Sequence, residues 1–382
     1  MHVHSVAIAG SLALSSLVSA IPVARLSREA RSESQRRDAS AGNPFSFPLS
    51  NGFPNIVAGS QQEASLFNQA HGTLPNGPPP PTAPAEDDLL SLRLIAFNEL
   101  WEVAFFTELL ANITNNIPGY EFEDPNERQA AINAITAVQA QEQLHALDAN
   151  GALTHFNAGP IQPCQYVAPV SNFQDAIAVA SQFTDVVLGT LGDVVTHFGE
   201  NGDSGLIRGV ASVIGQEGEQ DGYYRSLLGK VPSANAFLTA SAREFAFNAI
   251  NQNFVVPGSC PNANTINLPT YGVLSLETPA TQITAQDTTL SFSIPAEEVW
   301  SQYPNGQGLS LILINQQNVP INQTLAITGV SDDLVQFTAN FPFEENSLFG
   351  LTIAVVAAGE GLTDIATVAE NTVFGPVFIN VL

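Results

Sequence analysis

Apolar residues recur every three or four positions along five stretches between residues 87 and 255. This spacing places them on one face of a helix and polar residues on the other. Two of the starts also carry capping patterns, with Asp124 before Pro125 and Glu127, and Ser171-Asn172 before Gln174. The pattern predicts helices at about 87–114, 125–149, 172–198 and 204–228, and a fifth from Pro232-Ser233 to about Asn253. Four long amphipathic helices and a fifth predict an antiparallel bundle over 87–260.

The pattern changes near Leu268 to short segments that alternate between apolar and polar residues or are wholly apolar. Turn residues such as Pro304-Asn305-Gly306 separate them. The predicted strands lie at 288–294, 308–315, 323–330, 334–341, 349–357 and 373–381. Six or seven short strands in about 115 residues predict a β-sandwich of immunoglobulin-like type over 265–382. The predicted fold class is therefore α+β, with a helical bundle followed by a sandwich.

The N-terminal region has the pattern of an exported protein. Residues 1–20 hold a short apolar run that ends in Val18-Ser19-Ala20, which predicts a secretory signal peptide cut after Ala20. Residues 21–37 end in Arg36-Arg37 and are either a processed propeptide or a plain disordered terminus. Residues 38–86 are rich in Gly, Pro, Ser and Asn, with four prolines at 78–81, and predict a disordered arm.

Composition indicates a folded and strongly acidic protein. The chain is 45% hydrophobic and 12% charged, with a net charge of −25, which is not the composition of a disordered polyanion. Five arginines and two glutamates lie before residue 38, so the remainder carries −28. Such a charge repels nucleic acid and anionic membranes. No segment after the signal peptide is predicted to span a bilayer, so we expect a soluble, secreted protein of the extracellular space or cell wall.

Export also defines the expected covalent chemistry. The two cysteines, Cys164 and Cys260, have no neighbouring cysteine for a metal site, and in an oxidising compartment they predict one disulfide bond. Closing so long a loop stabilises a fold by roughly 4–5 kcal/mol on the chain-entropy model. Asn112 and Asn322 each begin an Asn-x-Thr triplet and are predicted glycosylation acceptors.

Three glutamates stand in the middle of otherwise apolar helical stripes. Glu99, Glu142 and Glu217 each have apolar residues three, four and seven positions away. His145 follows Glu142 by three residues, which makes a Glu-x-x-His motif on one helix face. The helix at 172–198 has Thr184 at the corresponding mid-stripe position, and Asp185 is turned about 100° away by helix geometry.

These residues resemble the ferritin-like superfamily, and most closely the secreted fungal late sexual development or starvation-stress proteins and their plant desiccation-related relatives. The resemblance covers roughly 87–255 and lies in four segments, 97-FNELWEVAFF-106, 141-QEQLHAL-147, 180-ASQFTDVVLG-189 and 216-QEGEQDGYYR-225. It implies metal ligands at Glu99, Glu142, His145 and Glu217. The family's remaining glutamate and histidine fall on Thr184 and Gln220, which would leave one half of a two-metal site without ligands.

Two interpretations of this degenerate site follow. In the first the bundle holds no metal, and protonated carboxylates hydrogen-bond to Thr184, Gln220, Ser181 or buried water. In the second Glu99, Glu142 and His145, with Glu217, hold one divalent ion of iron, manganese or zinc.

The expected function is non-enzymatic, in stress or development, at the cell wall or extracellular matrix, with wall glycans or wall proteins as possible partners. The alternatives are a metal-dependent oxidase or metal store, and glycan binding by the sandwich. No pattern in the sequence indicates an oligomeric state.

Overall fold

The computed structural model describes residues 44–296, 302–331 and 333–381. The predicted signal peptide, the segment ending in Arg36-Arg37 and the first residues of the predicted arm lie outside the described residues. The described part of the chain is α+β, with eight helices and two four-stranded antiparallel sheets. Helices dominate its first half and both sheets lie in its C-terminal part, as the change of hydrophobic pattern near Leu268 predicts.

The helices of the described residues follow the predicted order. They are α1 (Gln61–Ala70), α2 (Glu86–Thr114), α3 (Pro125–His155), α4 (Phe173–Asn201), α5 (Ser204–Leu227), α6 (Arg243–Asn253), α7 (Phe343–Asn346) and α8 (Ile365–Asn371). The capping residues explain two of the starts. The side chain of Asp124 accepts from the backbone N–H of Asn126 ahead of α3, and that of Asn172, rather than Ser171, accepts from Asp175 ahead of α4.

The start of α6 differs from the prediction. The fifth helix does not begin after Pro232-Ser233 but at Arg243, ten residues later. Residues before it are held by the sandwich instead, since the backbone N–H of Ala240 donates to Gln316 O at 2.9 Å and Thr239 Oγ1 donates to Leu351 O at 2.7 Å. Hydrogen bonds to another domain replace those that a helix would make, which local periodicity does not indicate.

The bundle core is aromatic and includes the whole length of α4. Trp101 of α2 lies 4.0 Å from Phe183 of α4, centroid to centroid, and 4.4 Å from Phe254. By length and composition α4 is apolar enough to cross a membrane, so the prediction that no such segment follows the signal peptide was wrong. However, 78% of its most apolar window is buried within the protein, as expected for a core helix.

The predicted disordered arm is largely folded where the structure describes it. Over residues 44–86, α1 packs on α3, and Leu66 and Ala70 form a small core with Ala140 and Leu144. Phe53 is fully buried in the main bundle core. The high content of Pro and Gly favours disorder, but a few large apolar side chains bury enough surface against the bundle to order the segment.

The predicted disulfide is confirmed. Cys164 and Cys260 are bonded, with their Sγ atoms 2.01 Å apart. The bond joins the loop between α3 and α4 to the segment that follows α6, and 96 positions separate the two cysteines. It therefore fixes the end of the bundle to its middle.

The C-terminal part contains two packed sheets. The strands are β1 (Ser275–Leu276), β2 (Thr288–Pro295), β3 (Leu309–Asn315), β4 (Ile321–Thr324), β5 (Ala326–Val330), β6 (Leu334–Phe341), β7 (Gly350–Ala358) and β8 (Thr372–Val381). The orders are β1-β2-β6-β5 and β4-β3-β7-β8. The single strand predicted at 323–330 is in fact two, and the chain changes sheet at Leu325. Leu290, Phe292, Leu311 and Phe337 belong to the core between the sheets.

The outer face of the second sheet is covered by the bundle. Val186 of α4 and Phe245 and Ala249 of α6 belong to one apolar cluster with Ile314 and Ile353 of the sheet. Coverage on both faces explains why β3 is buried along its whole length, without the alternation seen in β6. The bundle and the sandwich are thus joined by a continuous apolar interface.

Candidate metal site in the bundle

Three helices bring the predicted ligand residues together in the bundle interior. Glu99 lies on α2, Glu142 and His145 lie on α3, and Glu217 lies on α5. Each offers one ligand atom, and these atoms all lie within 4.8 Å of one another. The three glutamates are each 1% exposed. The mid-stripe glutamates of the sequence therefore converge on one buried point.

His145 stands at the centre of this group. Its Nδ1 atom lies 2.9 Å from Glu142 Oε2, 3.5 Å from Glu99 Oε2 and 3.6 Å from Glu217 Oε1. A single ring N–H makes one good hydrogen bond and cannot satisfy three carboxylates at once. The imidazole is therefore placed either as a proton donor to Glu142 or, when neutral, as a nitrogen ligand beside three oxygen ligands.

Several carboxylate oxygens at this point lack a hydrogen-bond partner. They are buried, and Glu99 Oε2, Glu142 Oε1 and both carboxylate oxygens of Glu217 make no hydrogen bond among the described residues. Buried carboxylate oxygens are normally paired, because leaving them without a partner costs free energy of desolvation. A cation bound between them would supply the missing partner, so the donor set fits a metal ion.

The electrostatics show how strongly these groups oppose one another. Burial raises the pKa of Glu99 to about 7, although His145 lowers it. Burial, followed by the charges of Glu99 and Glu142, raises the pKa of Glu217 well above its ordinary value. Burial lowers the pKa of His145, but the two carboxylates of Glu99 and Glu142 outweigh this and raise it. One imidazole does not neutralise the carboxylates around it.

A fourth buried carboxylate was missed by the sequence analysis. Glu102 is 3% exposed and follows Glu99 by three residues on α2. Burial, followed by Glu142 and Glu217, raises its pKa well above the ordinary value. The i, i+3 spacing from Glu99 was the available signal, since it places both side chains on adjacent turns of one face. We call Glu99, Glu102, Glu142, His145 and Glu217 the acidic cluster.

The two substituted positions do not hydrogen-bond to the acidic cluster. Thr184 is buried, and no hydrogen bond from its side chain is found in the described part of the structure. Gln220 donates from Nε2 to Gln141 Oε1 at 3.1 Å and accepts from the hydroxyl of Tyr224 at 3.4 Å. The Ser181 hydroxyl donates to Asp221 at 2.7 Å. The hydrogen bonds that the metal-free interpretation expects from these side chains are therefore not made.

A second buried ionic group lies one turn further along α5. We call it the arginine cluster, and it consists of Asp185, Asp221, Arg225 and Lys230. Arg225 is 1% exposed, and its Nε donates to Val231 O at 2.8 Å. The charges of Arg225 and Lys230 act on both aspartates. Asp185 Oδ2 and both Nη atoms of Arg225 are buried without a hydrogen-bond partner in the described residues, so Arg225 acts on Asp185 through its charge and not through a hydrogen bond.

A small cavity adjoins the acidic cluster on the side of α4. Its volume is about 10 Å³, and Asn98, Glu99, Val187 and Thr190 are among its lining residues. That is about the room one water molecule needs. Both polar side-chain atoms of Asn98 are buried without a partner in the described residues. A water in the cavity would satisfy them and connect Glu99 to a polar neighbour.

The predicted glycosylation acceptors differ in how free their side chains are. Asn322 donates from Nδ2 to Leu362 O at 2.8 Å and accepts from Leu362 N at 3.1 Å. A glycan on Nδ2 would disturb these hydrogen bonds. Asn112 is half-buried near the end of α2. Both stay predictions.

Comparison of the chain with protein-family models and with curated protein sequences gives no match. Fold and site therefore define a class by themselves, namely an α+β protein whose helical bundle buries an acidic cluster around one histidine.

Proposed function

We propose that this chain is an exported, ferritin-like metal-binding protein that holds a divalent cation in its bundle. Glu99, Glu142, His145 and Glu217 would be the ligands. Three carboxylates and one imidazole suit Fe(II), Mn(II) or Zn(II). The proposed role is binding rather than turnover.

The observation that carries this proposal is the set of buried carboxylate oxygens without partners around His145. Within the described residues, the positive charge that lowers the pKa values of Glu99 and Glu217 is that of His145. An interior that gathers carboxylates and provides no fixed cation is costly unless they are protonated or bind a positive ion. Structural ion clusters of proteins normally contain their own counter-charge.

The architecture supports the finer fold assignments. Two long helical pairs, α2 with α3 and α4 with α5, have the extensive mutual contacts of a ferritin-like bundle. The sheet orders β1-β2-β6-β5 and β4-β3-β7-β8 correspond to the A-B-E-D and C′-C-F-G orders of immunoglobulin-like sandwiches. We therefore propose a ferritin-like bundle followed by an immunoglobulin-like domain.

The proposed location and biological role rest on features other than the acidic cluster. The disulfide agrees with an oxidising compartment and hence with secretion. A non-enzymatic role in stress or development at a cell wall rests on the resemblance of residues 87–255 alone. Binding of wall glycans or wall proteins stays a prediction, and the proposed partners do not include nucleic acid or membranes.

Metal analysis of the purified chain tests the proposal. We expect at least one bound Fe(II), Mn(II) or Zn(II) per chain after equilibrium dialysis, and none in Glu142→Ala. Glu219→Gln is the matched control, because this glutamate is on α5 two residues after Glu217 but is exposed, and it should keep the metal. A folded wild-type protein that retains none of the three ions would leave the metal-free interpretation as the correct one.

A further inference from the structure

We propose that helix α1 and Gln141 form a gate for a divalent cation such as Mn(II), on the side of the bundle between α3 and α5. This inference rests on the proposed function, because the gate regulates access to the site of Glu99, Glu142, His145 and Glu217. Such a gate sets the rates at which the cation binds and dissociates, and it leaves the affinity of the site unchanged.

His145 marks the side on which the site is closest to solvent. Its side chain is 15% exposed, whereas those of Glu99, Glu142 and Glu217 are each 1% exposed. Asp148 follows His145 by three residues on α3, which places it one turn further along the same face, and it is exposed. The charge of His145 acts on Asp148. A cation that enters on this side meets a surface carboxylate first, then the imidazole, and then the buried carboxylates.

Three amide side chains connect α3 to α5 on this side. Gln141, one turn before His145, accepts through its Oε1 atom from Gln216 Nε2 and from Gln220 Nε2, each at 3.1 Å. Gln141 and Gln216 each directly precede a glutamate ligand on their helices, and both are half-buried. These hydrogen bonds therefore join the two helices at the level of the ligands and nearer to solvent than the buried carboxylates. We call Gln141, Gln216 and Gln220 the amide bridge.

Helix α1 holds the amide bridge from outside. Gln141 Nε2 donates to the backbone oxygen of Ala70, the last residue of α1, at 3.3 Å. Leu66 and Ala70 attach α1 to α3 by forming a small core with Ala140 and Leu144, which is separate from the main bundle core. A segment with so few buried apolar contacts opens locally while the rest of the fold stays intact. Release of α1 would free the Gln141 amide and open the gap between α3 and α5.

The hydrogen bonds of the gate are of a kind that opens easily. All three join neutral groups, and their donor–acceptor distances of 3.1–3.3 Å lie at or beyond the long end of the usual range. Such a bond contributes less to stability than one made to a charged group. When the bridge opens, Gln141 Oε1 loses both of its donors. An amide oxygen is a ligand for hard divalent cations, so it can then accept the passing ion.

The rates of Mn(II) exchange test the gate. The full chain is loaded with Mn(II) and mixed with an excess of a fluorescent chelator, which measures release, and uptake is measured from the loss of the electron paramagnetic resonance signal of the free ion. We expect Gln141→Ala and Leu66→Ala each to raise both rates by about tenfold, because each removes contacts that hold the gate shut. Equilibrium dialysis should give the wild-type Kd and stoichiometry in both variants, because the four ligands are unchanged.

Gln129→Ala is the matched control. Gln129 is also a glutamine of α3, but it is exposed, and it donates to Asn133 of its own helix. Both rates should therefore stay at their wild-type values in this variant. Gln141→Ala changes only a half-buried amide, so it should fold and test the gate even if Leu66→Ala does not fold.

The possible outcomes separate the gate from the proposed function. Wild-type uptake and release rates in Gln141→Ala would overturn the gate and leave the proposed function intact. Faster release with unchanged uptake and weaker binding would also overturn the gate, since Gln141 would then support the ligands. A wild-type chain that binds no Mn(II) overturns the gate, and one that binds neither Fe(II) nor Zn(II) as well overturns the proposed function with it.

Discussion

The acidic cluster and the arginine cluster are neighbours in one bundle, yet their charges are arranged in opposite ways. Helix α5 contributes Glu217 to the first and Asp221 to the second, one turn apart, and both side chains are buried. In the arginine cluster two aspartates face Arg225 and Lys230. In the acidic cluster four glutamates face one histidine. Both clusters are buried apart from the half-buried Lys230, and both contain side-chain atoms without a hydrogen-bond partner in the described residues, but they differ in the supply of positive charge.

This difference separates a structural ion group from a binding site. A buried carboxylate with a cation of the chain nearby has its counter-charge as soon as the chain folds, and removing that cation leaves the carboxylate uncompensated. A buried carboxylate without a cation is incomplete in the folded chain and gains stability only from an added ion. Loss of its cation by mutation should therefore destabilise the arginine cluster, whereas addition of a metal ion should stabilise the acidic cluster.

The largest effect is expected at the arginine cluster. Arg225→Met removes the buried cation but keeps much of the side chain's volume, and leaves Asp185 and Asp221 uncompensated. Removing the buried charge that offsets two buried carboxylates costs about 3–5 kcal/mol. Denaturant unfolding followed by far-ultraviolet circular dichroism measures the loss. Arg208→Met, on an exposed position of the same helix, should change stability by less than about 0.5 kcal/mol. If Arg225→Met and Arg208→Met lowered the free energy of unfolding equally, the arginine cluster would not depend on a buried cation, and the distinction drawn between the two clusters would be wrong.

Metal should stabilise only through the acidic cluster. A ligand at about a thousand times its Kd stabilises the folded state by about 4 kcal/mol. For a bundle of this size that corresponds to a rise in Tm of roughly 8–16 °C. Thermal unfolding with Mn(II) and with chelator measures it. We expect the rise to persist in Arg225→Met and to vanish in Glu142→Ala. A rise in Glu142→Ala as large as in the wild type would place the binding elsewhere.

The sequence predicts those features of the two clusters and of the fold that depend on local pattern. Helical periodicity identifies the long helices, and the mid-stripe positions of Glu99, Glu142 and Glu217 predict their convergence, because a polar residue in an apolar stripe points into the core. The two cysteines of the chain leave one pairing. These features depend on spacing and composition within a segment, which are visible without coordinates.

Other features depend on contacts between distant segments. Glu102 shares a helix face with Glu99, but that spacing does not show whether α3 and α5 enclose it, and its low exposure of 3% depends on their packing. The ordering of residues 44–86 depends on Phe53 and Leu66 finding apolar surface on the bundle. The late start of α6 depends on hydrogen bonds to Gln316 and Leu351. No local pattern specifies such partners.

A smaller effect should appear when one carboxylate of the acidic cluster is neutralised in the absence of metal. Glu217→Gln removes a buried ionisable group whose pKa is raised well above its ordinary value and whose two oxygens have no partner in the described structure, so folding no longer has to protonate it or bury its charge. With chelator present, we expect the free energy of unfolding at neutral pH to rise by about 1 kcal/mol, because the desolvation and repulsion of that charge are relieved. The same variant should lose the stabilisation by Mn(II). Denaturant unfolding in both conditions measures the pair of effects. A loss of stability in chelator would mean that Glu217 has a structural partner.

The smallest effect is expected at Asp88, a buried carboxylate outside both clusters. It tests whether burial alone raises the pKa of a carboxylate in this bundle. Asp88 accepts from Asn201 at 2.9 Å, and its other oxygen lacks a partner within the described chain. Burial, with Asp203 and Asp87 adding to it, raises its pKa from 3.8 to about 6.

Between pH 4 and 6 the folded state therefore holds a proton on Asp88 that the unfolded state has released, so this group makes stability fall as pH rises through that window. The first turn of α2 is close to solvent, which screens the charge and limits the effect to about 1 kcal/mol. Asp88→Asn removes this contribution, so the difference in unfolding free energy between variant and wild type should grow from pH 4 to pH 6 and then stay constant. A difference that is the same at both pH values would show that Asp88 is ionised throughout. Burial without a counter-charge would then not be enough to raise the pKa of a carboxylate in this bundle. The raised pKa values in the acidic cluster would then be due to repulsion between its carboxylates.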